Sequence, residues 1–178
     1  INELTTRNIN ISYISSDHTE NIYFEDNNNI KYLYINILLI PFMQFLKCKI
    51  LILTLTDLHN LHLKRSIYPV KYIYVFHSFV STHMMYRFGA FNYYDSILCG
   101  GEHHVKEIIA NENLYDLKSK QKIKAGDYRI ERIYKAYKQS VMNKNFINSK
   151  KTVLIAPSWG DENLLKTCGK ILINKLLN

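Results

Sequence analysis

The sequence is poor in the residues that mark special-purpose chains. Of 178 residues only 6 are glycine and 3 are proline, which excludes collagen-like repeats and Pro/Gly-rich linker chains. Its 3 cysteines, Cys48, Cys99 and Cys168, are far apart and odd in number. With no C-x-x-C or other ligand spacing, they point away from a disulfide framework and toward a reducing compartment. The G-x-S-x-G elbow, the P-loop and the G-x-G-x-x-G fingerprint are all missing. Nothing therefore supports a serine hydrolase or a P-loop NTPase. The first residues carry no charged n-region, apolar core and cleavage site, so no secretory signal is expected there. The most apolar stretch, residues 32–55, is broken by Lys47 and Lys49. Its uninterrupted part is about 15 residues, short of the roughly 20 that cross a bilayer, and reads as a buried helix followed by a buried strand.

What is present is core-forming material. The chain is 47% hydrophobic and 13% aromatic, too apolar for disorder and long enough for one domain and a fraction of another. Lys and Arg number 23 against 15 Asp and Glu, a formal charge of +8. That surplus suits a phosphate-bearing partner, an anionic membrane surface included. A coding bias toward Lys, Asn, Ile and Tyr explains it equally well. No aromatic-interleaved basic RNA motif is present, so nucleic acid is not the expected partner.

Residues 8–14 alternate and are β-branched, as strands are, and residues 30–35 are a second candidate strand. Residues 36–47 read as a helix with Pro41 near its first turn. Residues 49–54 and 70–76 are short continuous apolar runs of the kind buried on both faces of a parallel sheet. Residues 94–99 form a further strand. Helices are expected over 81–91, 102–114 and 127–143. A polar, basic linker over 144–151 precedes an expected strand at 152–156, a turn at 157–160 and an amphipathic helix over 164–177. This alternation predicts an α/β fold with a doubly wound parallel, Rossmann-like sheet over 1–143, and the first β-α unit of a second domain over 152–178.

Ligands of such sheets collect where strands end and helices begin. Three places qualify: Phe76-His77-Ser78 with Ser81-Thr82-His83, Cys99-Gly100-Gly101 with His103-His104, and Ala156 to Asp161. A histidine just past a buried strand, such as His77, suits removal of a proton from an attacking hydroxyl near neutral pH. The structural alternative is an imidazole bonded to a backbone carbonyl, and position alone does not separate the two. Gly100-Gly101 at a helix start lets a phosphate or ribose approach the backbone. His103 and His104 diverge by about 100° around a helix. His59 and His62 lack a third ligand at known spacing, so no metal site is expected.

Taken in order, four blocks resemble the CDP-glycerol glycerophosphotransferase family, bacterial enzymes of teichoic-acid-type polymer synthesis. They are residues 57–101 (with F-H-S, S-T-H-M and Y-R-F-G-A-F-N-Y-Y-D), 102–108 (E-H-H-V-K-E-I), 126–131 (G-D-Y-R-I-E) and 152–165 (T-V-L-I-A-P-S-W-G-D-E-N-L-L). The resemblance implies the two-domain GT-B arrangement, with the first domain and the opening of the donor-binding domain present here. It implies transfer of glycerol phosphate from CDP-glycerol to a hydroxyl of a lipid-linked acceptor, with release of CMP. It calls for no cofactor and implies a cytoplasmic, peripheral place on the inner membrane face. His77 falls on the family's general base. Ser78, Thr82, His83, Arg87, Gly100, Gly101 and Arg129 fall on the substrate side, and Pro157, Ser158, Trp159 and Gly160 on the donor side. Ser78 and Phe79 replace the family's commoner Gly-Thr pair, Asp127 stands where an aromatic is usual, Glu131 where Asp is usual, and Gly160 where Arg is frequent. The competing expectation is a non-catalytic remnant that binds an envelope polymer or a partner protein.

Overall fold

The apolar runs become parallel strands in a computed structural model that describes residues 2–17, 29–143, 153–157 and 160–177. In chain order these are α1 (Asn2–Thr6), β1 (Ile11–Ser15), β2 (Ile30–Tyr34), α2 (Leu39–Phe45), β3 (Ile50–Leu53) and β4 (Lys71–Val75). Then come α3 (Thr82–Met85), β5 (Ser96–Cys99), α4 (Glu102–Leu114), β6 (Gln121–Lys124), α5 (Tyr128–Asn143) and α6 (Leu164–Leu177). The architecture is α/β. β1 and β2 form a parallel pair, and β3-β4-β5-β6 a four-stranded sheet that is parallel throughout.

The chain divides into two compact units, Ile1–Ile133 and Tyr134–Asn178. All described strands belong to the first. Among the described residues the strand order of its larger sheet runs in one direction, without the reversal at which a doubly wound sheet switches faces. Right-handed crossovers taken in one direction place their connections on one face of the sheet. The side chains agree. Tyr72, Tyr74, Ile97 and Cys99 are fully buried and form the core with Met43, Leu58, Phe91 and Ile108. On the opposite face Ile50, Ile52 and Ile123 are exposed. β3 is therefore an edge strand covered on one face, not the doubly buried strand its apolar run predicts.

Two expected helices are shorter. The helix expected over 36–47 is α2 alone. The one expected over 81–91 is the four-residue α3, because Tyr86 is already extended and Gly89 turns the chain at φ +82. β6 carries lysine on both sides of its one apolar residue, so its sequence gave no strand signal; its place in the ladder comes from pairing with β5. Residues 153–156 of the expected strand at 152–156 lie in no strand, and Leu154 is 88% exposed. A strand needs a ladder partner, and none pairs with them among the described residues. The linker 144–151 and Thr152 lie outside the described residues. In the second unit, Asn163 caps α6 by accepting from the amides of Leu165 and Lys166 at 3.1 and 3.2 Å.

Candidate functional site

Because β3 to β6 are parallel, their carboxyl ends face the same way. A cavity of about 380 Å³ lies there, lined by Thr54 after β3, His77 and Ser78 after β4, Gly100 after β5, and Gly126, Asp127 and Arg129 after β6. Each strand of the sheet thus contributes a loop to one cavity. Asp127 shapes one wall by capping α5. Its carboxylate accepts from the amides of Arg129 and Ile130 at 2.7 and 3.1 Å. Gly126 precedes it at φ +72, a left-handed conformation that favours glycine. With the helix start fixed, the Arg129 guanidinium donates to the His77 carbonyl at 2.8 Å. That bond joins two of the sequence blocks 52 residues apart. His77 is exposed, and no hydrogen bond holds its imidazole among the described residues.

The glycine pair packs closely against the rings around it. The Gly100 amide donates to Nδ1 of His104 at 3.2 Å, and His104 Nε2 meets the Val80 carbonyl at 2.9 Å. Accepting at Nδ1 leaves the imidazole proton on Nε2 to donate. Burial pushes this histidine below the ordinary imidazole range, in the same sense as the neutral ring that the Gly100 bond requires. It stacks on Phe76 with ring centroids 3.9 Å apart. A Cβ at Gly100 would lie 3.3 Å from the Phe79 ring, and one at Gly101 2.8 Å from His103 Nδ1. Both glycines make room for neighbouring rings, and the Gly100 N–H is already occupied. His104 is the structural histidine of the region, and sequence reasoning did not single it out from His103.

Thr82, His83 and Arg87 do not join His77. They line a second cavity of about 490 Å³ between the 86–92 loop and α4, and their polar groups are engaged within the protein. Glu107 on α4 accepts from the Thr82 amide and hydroxyl, both at 2.5 Å, and from the Ser81 hydroxyl at 2.9 Å. Ser81 itself lacks a capping bond to α3, so a carboxylate from another helix caps it instead. Burial works to raise the Glu107 carboxyl, but these donors outweigh it and hold it below the usual carboxylate range. His83 Nδ1 lies 2.8 Å from Ser81 Oγ and 3.6 Å from Glu107. Serine and carboxylate share one ring nitrogen, which is not the relay order of a catalytic triad. Arg87 is bound to Asp57 at 2.6 Å, and that guanidinium lowers the Asp57 carboxyl.

Pro157 and Gly160 belong to the second unit, where Asn163 donates to the Gly160 carbonyl at 2.5 Å. Ser158 and Trp159 lie outside the described residues. No three His, Cys, Asp or Glu side chains gather as a metal-binding group among the described residues, and no described helix is long and apolar enough to cross a membrane.

Fold and cavity define an α/β protein with a cavity at the carboxyl ends of a parallel sheet. Compared with protein-family models, curated proteins and solved structures, the chain matches none.

Proposed function

We propose that the 380 Å³ cavity takes a phosphate-bearing substrate and that His77 acts there as general base in transfer of glycerol phosphate from CDP-glycerol to an acceptor hydroxyl. The observation that carries this reading is the convergence of His77, Ser78 and Arg129 on one cavity where the parallel strands end. In the proposed step the His77 imidazole takes the acceptor hydroxyl proton. The oxygen forms a bond to the phosphorus that carries glycerol, and that phosphorus releases the oxygen shared with CMP. Most of the barrier in phosphoryl transfer is positioning and charge. Arg129, whose Nη1 is fixed on the His77 carbonyl, presents its other donors to the phosphate, and Ser78 offers a hydroxyl. The GT-B arrangement and a peripheral position beside a lipid-linked acceptor belong to the same proposal.

The test is CMP release from CDP-glycerol with a poly(glycerol phosphate) acceptor. We expect release by the parent protein, and a fall of about 10² to 10⁴-fold in kcat for His77→Ala with the donor KM retained, as for loss of a general base. No release by the parent, or a variant within about threefold of it, overturns the reading.

A further inference from the structure

We propose that the 490 Å³ cavity between the 86–92 loop and α4 is a second binding site, and that it takes a small amphipathic monocarboxylate seated on Lys120. The cavity is lined by the rings of Tyr86, Phe91 and Tyr115 and by Ile108 and Leu114, with Lys120 and Glu112 also in its wall. Its size falls within the range of small-molecule pockets, roughly 300 to 1,000 Å³. Volume and apolar walls alone would describe a void. The charged groups say more.

Lys120 and Glu112 are 5% and 6% exposed at their side chains. A charge so buried is expected to be closely paired. Lys122 has taken the close position, with its ammonium 2.5 Å from Glu112 Oε2. The other oxygen accepts from the Lys120 backbone amide at 2.9 Å. The Lys120 ammonium is left with two long contacts, 3.5 Å to Glu112 Oε1 and 3.4 Å to the Lys118 carbonyl. Two ammoniums share one carboxylate, so the cluster carries one uncompensated positive charge beside the cavity. Burial accordingly pushes Lys120 below the ordinary lysine range.

A single carboxylate completes this arrangement. It supplies the missing acceptor at short range and neutralises the cluster, while its apolar body covers the aromatic walls. The other charged side chains of the cavity have partners: Arg87 holds Asp57 through Nε, Glu107 accepts from Ser81 and Thr82, and His83 lies 3.6 Å from Glu107. A second negative charge on the ligand would face Glu107 and Glu112, with Arg87 and His83 already set against Asp57 and Glu107, which disfavours phosphate dianions. The site is therefore chemically different from the one at the strand ends.

Calorimetric titration of the whole chain with 4-phenylbutyrate, 4-phenylbutanol, 4-phenylbutylamine and 4-phenylbutyl phosphate tests the proposal. We expect the carboxylate to bind at least tenfold more tightly than the alcohol and the phosphate dianion, with no binding of the amine. Lys120→Met keeps the length of the stem and should bring the carboxylate down to the level of the alcohol. Equal affinity for all four probes, no binding of the carboxylate, or an unchanged carboxylate affinity in Lys120→Met overturns the inference. If that variant does not fold, the ranking of the four probes on the parent protein decides.

Discussion

The two cavities of the first unit use their polar residues in opposite ways. Along the 81–87 segment and α4, hydroxyls, amides and carboxylates are bound to one another. Glu107 alone receives three hydrogen bonds, and Arg87 closes on Asp57. At the strand ends, among the described residues, the His77 ring stands without such a partner and the Arg129 guanidinium is held by the His77 carbonyl alone. Both groups of residues look alike as sequence, a histidine with hydroxyls after a strand. The difference teaches that a hydroxyl-rich loop identifies a site only when nothing inside the fold has already claimed its donors.

The contrast predicts which substitutions change chemistry and which change stability. The largest effect belongs to the open cavity, where His77→Ala should lower CMP release by about 10² to 10⁴-fold. The same variant should unfold in urea within about 0.5 kcal/mol of the parent, since it removes an exposed, unengaged ring. A large loss of stability would merge the two regions and make His77 structural.

Next comes Glu107→Ala. It leaves the Ser81 and Thr82 donors without their acceptor and uncaps α3, at a cost of about 2 to 4 kcal/mol by the usual penalty for unpaired, partly buried donors. Urea denaturation gives the number directly. A cost below about 0.5 kcal/mol would show that these bonds do not hold the segment.

Acid should act on the engaged region first. Glu107 and Glu112 are held below the ordinary carboxylate range in the folded state, where donors outweigh the burial that would raise them. Their contribution is therefore complete above the unfolded glutamate pKa, about 4.3, and is lost as pH falls through the lower folded values. Thermal melts between neutral and acidic pH should show little change down to about pH 5 and a steep loss below about pH 4. In Glu107→Gln that acid-dependent loss should shrink.

The smallest effect is expected for Arg87→Met. The Arg87 side chain is 57% exposed against 15% for Asp57, so solvent screens the pair and its loss should lower the urea midpoint only slightly, less than any other substitution here. Added salt should reduce the difference between parent and variant.

Much of the fold was legible in the residues. Helix α4 falls on the residues its pattern predicts, α6 spans its predicted range with a kink at Cys168, and β2 to β5 fall inside their predicted runs. β6 was not legible, because Gln121-Lys122-Ile123-Lys124 has no apolar alternation of its own. The exposed face carrying Ile50 and Ile52 was not legible either, since a continuous apolar run reads the same whether one face is covered or both. At the site, the block order gave His77 and Arg129, but their junction through a backbone carbonyl has no sequence pattern. Asp127 did have one, as an acidic residue just ahead of a helix. Its capping role emerges only with the start of α5 fixed at Tyr128. The consumption of Thr82 by Glu107, 25 residues further on, depends on packing that local propensity does not encode.

The unidirectional strand order also bears on how the sheet is made. Each of β4, β5 and β6 joins the strand just before it in sequence, so pairing closes loops of similar length: Ile50 meets Lys71, Ile73 meets Ser96, and Ser96 meets Gln121. Loop-closure entropy changes by only about 0.6 kcal/mol per doubling of length, so the three additions cost nearly the same. None must wait for a strand synthesised later. Growth can follow the order of translation, one strand at a time, and the site at the strand ends is completed only by the last addition, when β6 delivers Asp127 and Arg129 to His77.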